Sequence, residues 1–361
     1  MNFLDSELVA GILSGDGCEL VDSPGQADVV LINGCSVRDH AEQRVWGQLG
    51  RLAELKKGKR LKIAVIGCIA ENYKEEIFNR FPYVDLVVGP RRISEIKKLL
   101  EKVIRDERRI LSCGKEKRLL KDESIAKRKS KLQAFVRVMT GCDNFCSYCI
   151  VPYVRGRERS RPAKDILAEI TKLMQTGYKE IMLLGQNVNS YGRGLPGDID
   201  FADLLKKISN IKGIEKIGFM TSHPKDMSMK LIETIADEEK ISRQVHLPVQ
   251  SGSGKILRLM NRKYTNIDYL RLIDKIKRII PKVTLSTDVM VGFPTETKDD
   301  FKMTCDLMKK VKFSRAFIFK YSPRPPAVSS RMKDDVDLNE KKQRHQVLLK
   351  LQQQISLKEK K

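Results

Sequence analysis

The sequence predicts an α/β protein of two units: an N-terminal open parallel sheet of Rossmann or flavodoxin type, then a partial (β/α)6 barrel. Three observations predict it. Short apolar runs alternate along the chain with stretches of helical periodicity. A strongly basic stretch separates a first series of such runs from a longer second series. Motifs rich in Cys, Gly, Gln, His and Pro recur where strands should end, the edge at which open sheets and barrels gather ligands.

In the first series, residues 27–35 (ADVVLINGC) and 61–68 (LKIAVIGC) read as strands ending in Cys35 and Cys68. A third run, 84–90, carries no cysteine, and helical periodicity fills Ser36 to Leu55 and Glu71 to Arg80. Two cysteines at the carboxyl ends of successive strands should point to one edge. That is either a metal site or two buried structural thiols. Residues 105–131 read as a charged linker with a hydrophobic strip. The second series has strands at 133–141, 180–187, 216–222, 243–250, 284–293 and 315–322. Helices are expected near 163–176, 200–210, 227–237, 266–280 and 297–311. The resulting boundaries are 1–104 for the first domain, 105–131 for the linker, 132–338 for the barrel and 339–361 for a basic helical tail.

Composition narrows the class. The 361 residues suffice for two domains, and 41% hydrophobic residues with one Trp is ordinary for an α/β protein. No apolar run reaches 18 residues, so no membrane span is expected, and no signal segment opens the chain. Eight cysteines without a secretory signal point to a reducing, cytoplasmic setting in which thiols serve metals or chemistry. Lys and Arg number 69 against 46 Asp and Glu, a net charge of +23 that favours a polyanionic partner such as RNA. The excess is clustered. Residues 97–131 carry 14 Lys and Arg against 6 Asp and Glu, and Arg155, Arg157, Arg159 and Arg161 alternate in RGRERSRP. These four are candidates for backbone phosphates, with Arg161 before Pro162 alternatively capping the first barrel helix.

The most specific motif is TGCDNFCSYCIVPY, in which Cys142, Cys146 and Cys149 form a C-x3-C-x2-C triplet. One short loop of this spacing holds three thiolates on a cubane iron–sulfur cluster and leaves one iron without a protein ligand. Four cysteines would fill every iron; an unfilled position is how catalytic metal sites stay open to substrate. In this arrangement the open iron binds S-adenosylmethionine (SAM) and cleaves it to a radical. A structural zinc site usually pairs C-x2-C with a second ligand pair, and none follows here. Tyr148, inside the loop, is a candidate to pack near the adenine of SAM.

With these residues in view, the chain resembles the radical-SAM methylthiotransferase family nearly end to end. The resemblance runs through MNFLDSE (1–7), INGCSVRDHAEQRVWGQLGR (32–51), IGCIAE (66–71), GCDNFCSYCIVPYVRGRERSRP (141–162), LLGQNVNSYG (183–192), TSHP (221–224), HLPVQSGSGKILRLMNRKYT (246–265) and STDVMVGFPTET (286–297). GQNVN favours the tRNA branch acting on N6-isopentenyladenosine. The threonylcarbamoyladenosine branch ranks second, ahead of the branch that modifies a ribosomal-protein aspartate. A further alternative, of another class, is a non-catalytic RNA binder.

The resemblance implies a radical-SAM barrel with two [4Fe-4S] clusters and SAM. Cys142, Cys146 and Cys149 would hold the radical cluster, and Cys35 and Cys68 would ligate the auxiliary one. Gly185, Gln186 and Asn187 would lie near the methionine end of SAM, with Gly292, Phe293 and Pro294 lining its pocket. The radical would abstract hydrogen from adenine C2, the auxiliary cluster would bring sulfur, and a second SAM would donate methyl. The implied partners are a tRNA anticodon stem-loop, splayed and stacked as single-stranded recognition requires, and an electron donor such as flavodoxin or ferredoxin. A monomer is expected. His246 reads as a hydrogen-bonded core residue and His223 is open; Cys18, Cys113 and Cys305 fall outside the family's cysteine positions. The family's first auxiliary cysteine, in G-C-Q-M-N, would lie just before Met1, and its RNA-binding TRAM domain would follow the tail. If the sequence is complete, Cys35 and Cys68 hold the auxiliary cluster alone, or Cys18 substitutes.

Overall fold

A computed structural model describes residues 1–114, 123 and 125–358. Part of the expected linker (115–122 and 124) and the last three residues of the tail lie outside the described residues. The chain divides into two compact units, Met1–Val136 with Ile150–Arg157, and Arg137–Cys149 with Glu158–Lys361.

The first unit is built on four parallel strands in the order β1 (Val29–Gly34), β2 (Lys62–Gly67), β3 (Leu86–Val88), β4 (Ile110–Ser112). Around them run α1 (Asn2–Ser14), α2 (Asp39–Lys56), α3 (Cys68–Tyr73), α4 (Glu75–Arg80) and α5 (Ile96–Asp106). The central strand shows why the sheet is covered on both faces. Side chains alternate along a strand: Ile63 and Val65 pack with Val45, Trp46, Leu49 and Leu52 of α2. Ala64 and Ile66 face the other way, with Val9 of α1 and Ile96, Leu99, Leu100 and Val103 of α5. A near-continuous apolar run is what a doubly covered parallel strand needs.

Elements here that were not expected include α5, β4 and α1. β4 falls inside the segment read as linker; it is three residues long, flanked by charge, and its ordering comes from pairing with β3. α1 escaped because its inward face mixes Leu4, Leu8 and Val9 with Asp5 and Glu7, which are also buried. That mixture blurs the apolar period on which a helix is recognised. β5 (Gln133–Arg137) and α6 (Val151–Arg155) complete the elements that begin in this unit.

In the second unit, the expected strand at 133–141 is broken after Arg137. A short pair, β6 (Met139–Thr140) with β7 (Arg159–Ser160), runs antiparallel. Val138 N–H donates to the Leu184 carbonyl at 2.9 Å, bringing this segment to the edge of β8 (Glu180–Leu184), which pairs in parallel with β9 (Lys216–Phe219). Ile217 bridges to Ile241 in parallel fashion. β10 (Gln244–His246), β11 (Thr284–Val291) and β12 (Arg315–Lys320) then form a parallel sheet. This is the expected incomplete barrel.

Helices α7 (Ala163–Gln175), α8 (Phe201–Ser209), α9 (Met229–Asp237), α10 (Gly254–Leu259), α11 (Asn266–Ile279) and α12 (Lys298–Val311) connect the strands. Reciprocal side-chain to backbone bonds start three of them, at Asp200/Asp203, Thr265/Asp268 and Thr297/Asp300. α10, one and a half turns long, was not expected. The tail forms α13 (Leu338–Lys358). It is part of the barrel unit, burying Leu348 and Ile355 together with Lys341, Arg344 and Gln352.

Candidate functional sites in the two units

The barrel unit presents the three-cysteine loop between β6 and the residues before α6. Gly141 N–H donates to Gln186 Oε1 at 2.6 Å, so the residue after β8 holds the start of the loop. At the other side α10 pins it. Ser147 N–H reaches the Met260 carbonyl at 3.0 Å, Ser147 Oγ donates to the Leu259 carbonyl at 2.7 Å, and Asn261 Nδ2 donates to the Phe145 carbonyl at 2.9 Å. Phe145 adopts φ +45° within the turn. Cys149 N–H bonds back to the Cys146 carbonyl at 2.9 Å. Two separate segments, one after β8 and one at the end of α10, thus fix the loop.

Cys142 and Cys146 are buried and Cys149 is half-buried. Burial pushes the Cys142 thiol up to about 11, partly offset by hydrogen bonding from Asn144. A buried thiol gives up its proton when a metal supplies the compensating charge. Three soft thiols in one braced loop fit an iron–sulfur cluster, whose ligands are cysteine thiolates. Among the described residues no three Cys, His or carboxylate groups converge at single-ion spacing. A cubane needs its thiolates spread around a larger body.

One residue of this site was not singled out from the sequence. Arg262, 7% exposed, sits in the LMNRKYT segment after α10. Its Nη1 lies 3.5 Å from Cys146 Sγ and 3.5 Å from the Tyr148 hydroxyl. Nη2 donates to the Pro248 carbonyl at 2.7 Å and Nε to the Tyr264 hydroxyl at 2.8 Å. The charge therefore stands beside a cluster thiol, held by neutral oxygens. Burial works against that charge, but Tyr264, Tyr148 and Cys146 hold the guanidinium well above its ordinary range. Its signal in sequence was only a lone Arg in a polar motif.

The expected SAM-side residues divide. Gly185 is needed as glycine, since a Cβ there would lie 2.5 Å from Met139 Cγ. Gln186 braces the cysteine loop, as above. Asn187 is buried and donates to Asp226 Oδ2 at 2.7 Å. Gly292 N–H donates to Glu296 Oε2 at 2.6 Å, and Glu296 in turn accepts from Arg344 of α13 at 2.6 Å. Phe293 is a correction: it is fully buried, edge-on to Tyr321 at 5.2 Å, so it packs rather than presenting a wall to a ligand. Tyr148 joins the same apolar cluster with Ile256 and Met260, and Pro294 is buried beside it in sequence.

His223 accepts the Lys225 N–H on Nδ1 at 3.2 Å; burial first, then Arg262, Lys225 and Arg193, push it down to about 2. His246 Nδ1 meets Ser286 Oγ at 3.0 Å. Both histidines are hydrogen-bonded packing residues.

In the first unit, β1 and β2 pair in register through Gly34 and Gly67, so Cys35 and Cys68 follow neighbouring strand ends at one edge. Gly67 has φ +90° and a Cβ there would collide with the Asn33 side chain, so the turn into α3 that delivers Cys68 requires glycine. Cys68 is buried and Cys35 half-buried. Burial raises the Cys68 thiol, with Arg155 opposing and Cys35 adding to the rise. Following paired strand ends, the two thiols form a donor pair that fits two ligand positions of a second cluster. Cys18 does not join them. Asn2, at the start of α1, bonds Asn33. Cys18 lies past the far end of that helix, about 20 Å away at 1.5 Å per residue. Cys113 is turned to the Ala70 carbonyl at 3.4 Å, and burial pushes it up to about 12. Cys305 lies half-buried in α12.

The arginine quartet is also corrected. Arg155 is 4% exposed, with Nη2 2.5 Å from Asp5 and Nε donating to Cys68 Sγ at 3.3 Å. Arg161 is 1% exposed, bonded to Glu169 at 2.7 Å and to the Arg137 carbonyl at 2.7 Å. Neither is available to a phosphate, because each is spent on an internal carboxylate. Arg157 and Arg159 are exposed.

Comparison with known proteins agrees with this chemistry. The Radical SAM superfamily pattern matches residues 136–308, and that of Uncharacterized protein family UPF0004 matches residues 1–89. The tRNA-2-methylthio-N(6)-dimethylallyladenosine synthase of Thermoanaerobacter pseudethanolicus is 47% identical over 360 residues, covering 99% of this chain and 76% of that protein. The protein of the same name from Clostridium botulinum is 45% identical over 364 residues, covering 100% of this chain and 81% of the relative. Among solved structures, the radical S-adenosylmethionine methyltransferase TsrM of Kitasatospora setae, with cobalamin and a [4Fe-4S] cluster bound, matches with a TM-score of 0.65. It is 12% identical, covering 90% of this chain and 70% of that one. The cobalamin-dependent S-adenosylmethionine radical enzyme OxsB matches with a TM-score of 0.56 at 13% identity, covering 89% of this chain and 48% of that one. The two structural likenesses speak to the fold alone.

Proposed function

The chain belongs to the radical-SAM methylthiotransferase family, and from that membership we propose its reaction and the residues that carry it. It is a tRNA methylthiotransferase that adds a methylthio group to C2 of N6-isopentenyladenosine beside the anticodon. The observation carrying this is the braced Cys142, Cys146, Cys149 loop in a chain 47% identical to such enzymes over 360 residues. An aromatic C–H bond at C2 resists acid–base attack, so the chemistry belongs to cofactors and the protein positions them.

Bound to Cys142, Cys146 and Cys149, a [4Fe-4S] cluster with SAM supplies radical cleavage chemistry, and a second cluster on Cys35 and Cys68 supplies sulfur. Gln186, Ser147 and Asn261 hold the cysteine loop in one shape, which limits the rearrangement needed on loading. Arg262 puts a permanent positive charge at Cys146 and favours its thiolate. Gly292, fixed through Glu296 to Arg344, sets the end of β11 against which SAM is bound. Exposed Arg157 and Arg159 contact RNA phosphates, whereas Arg155 and Arg161 do not.

We assign the electron supply to a small flavin or iron–sulfur donor such as flavodoxin or ferredoxin, and the working form to a cytoplasmic monomer. No helix among the described residues is long and apolar enough to cross a membrane. The test is mass spectrometry of tRNA nucleosides from a deletion strain, with and without the restored gene. Loss of 2-methylthio-N6-isopentenyladenosine on deletion and its return on restoration is expected. Unchanged 2-methylthio-adenosines would exclude the assignment.

A further inference from the structure

Arg155 lies in a motif that reads as RNA-binding, yet the fold buries it against a thiol. We propose that Arg155 is a positioning residue of the Cys35/Cys68 site, tuning the sulfur of Cys68 with a charge that Asp5 meters. The inference rests on the reading that Cys68 ligates the auxiliary cluster.

The geometry carries it. Guanidinium Nε donates to Cys68 Sγ at 3.3 Å while Nη2 holds Asp5 at 2.5 Å, so one planar group bonds the thiol and the carboxylate at once. Arg155 is 4% exposed and Asp5 0% exposed. Burying an ion pair is costly and is weak evidence of stabilisation; here its donor edge is aimed at a sulfur.

The helix that carries Arg155 serves the same end. α6 has five residues, and its Val154, with Ile150 just before it, packs on Cys68 itself. It therefore closes over the thiol and delivers the guanidinium in one motif. Gly156 follows at φ +82°, where a Cβ would stand 3.0 Å from Arg91 Nη1, and Arg91 is in turn paired with Glu71 of α3 at 3.0 Å. The turn after Arg155 is thus held against the helix that begins with Cys68.

A hydrogen bond to a ligating sulfur and a nearby positive charge both favour the reduced form of an iron–sulfur cluster, and both raise its potential. Partners one bond removed from a metal ligand typically change metal affinity 10- to 100-fold. Arg155 and Asp5 should therefore act with opposite signs.

The experiment uses the full chain with Cys142, Cys146 and Cys149 replaced by Ala, so that only the auxiliary cluster is reconstituted, and follows it by EPR-monitored redox titration. Arg155→Met should shift the midpoint to more negative values and speed iron loss to a chelator by about 10- to 100-fold. Asp5→Asn keeps an oxygen for the guanidinium but removes the counter-charge, and should shift the midpoint to more positive values. Arg155→Lys should shift it less than Arg155→Met. Should Arg155→Met fail to fold, the Asp5→Asn and Arg155→Lys titrations still decide. Unmoved midpoints, or shifts of one sign in the Arg155 and Asp5 variants, would overturn the proposal. So would weaker binding of an anticodon stem-loop RNA to Arg155→Lys at an unchanged midpoint. Cys68→Ala in the same background separates the two readings: a retained cluster removes the premise, whereas a lost cluster leaves the Arg155 titrations to judge the inference alone.

Discussion

Each thiol site holds one buried arginine against one cysteine, and the two arginines differ in what balances them. Arg262, 3.5 Å from Cys146, is held by a carbonyl and by tyrosine hydroxyls. Arg155, 3.3 Å from Cys68, shares its charge with Asp5. The barrel arginine thus faces a thiol and neutral oxygens, whereas the sheet arginine faces a thiol and a carboxylate. The supports differ as well. Hydrogen bonds from two barrel segments hold the first, whereas adjacent parallel strand ends hold the second. The lesson is that one donor type, thiolate, is given two electrostatic settings by its second layer of neighbours.

The sharpest division between the sites comes from removing one thiol at each. Cys142→Ala should abolish deoxyadenosine formation from SAM, measured by chromatography of anaerobic reactions with dithionite. Cys68→Ala should leave that activity in place and stop sulfur insertion, read as absence of the methylthio nucleoside. Deoxyadenosine formation surviving Cys142→Ala would erase the distinction.

The barrel site leans on a remote helix in a way the sheet site does not. Arg344→Met strands the Glu296 carboxylate, which has no exposed side-chain surface. Breaking a buried pair of this kind costs about 3–5 kcal/mol, to be read by urea denaturation, with weaker SAM binding alongside. Full stability in this variant would show that α13 is dispensable to the Gly292 turn.

Next in size is the Arg262 charge itself. Arg262→Met should slow reductive SAM cleavage by about 10- to 100-fold, with Arg262→Lys recovering part of it. A variant as fast as the parent would make the comparison between the arginines one of packing only.

The smallest effect concerns His223, near Arg262. Its folded-state value of about 2 lies below the ordinary histidine value. The neutral ring is therefore favoured in the fold, and its contribution is complete above pH ~6.5 and lost as pH falls below it, at roughly 1.4 kcal/mol per unit. Denaturation at several pH values should show a shallower acid slope in His223→Gln. Equal slopes would remove His223 from the account.

Much of this was legible before any coordinates. The C-x3-C-x2-C spacing is a local property, and it specifies a three-thiolate loop without help from the rest of the chain. The alternation that places Ile63 and Val65 against α2 and Ala64 and Ile66 against α1 and α5 is likewise written in consecutive residues. The arginines show where such reading stops. Arg155, Arg157, Arg159 and Arg161 are equivalent by spacing, yet two are exposed and two are sealed inside. Each of the two sealed arginines meets an internal carboxylate, and the one that captures Arg155 lies 150 residues away. Arg262 likewise meets Cys146 across 116 residues. Local pattern determined most strands and helices and the cluster-bearing loop, because covalent spacing sets those, whereas β4 needed its pairing with β3. The tertiary structure decided which charges face solvent and which face sulfur, because a buried ion is tolerated only where the fold brings its partner to it.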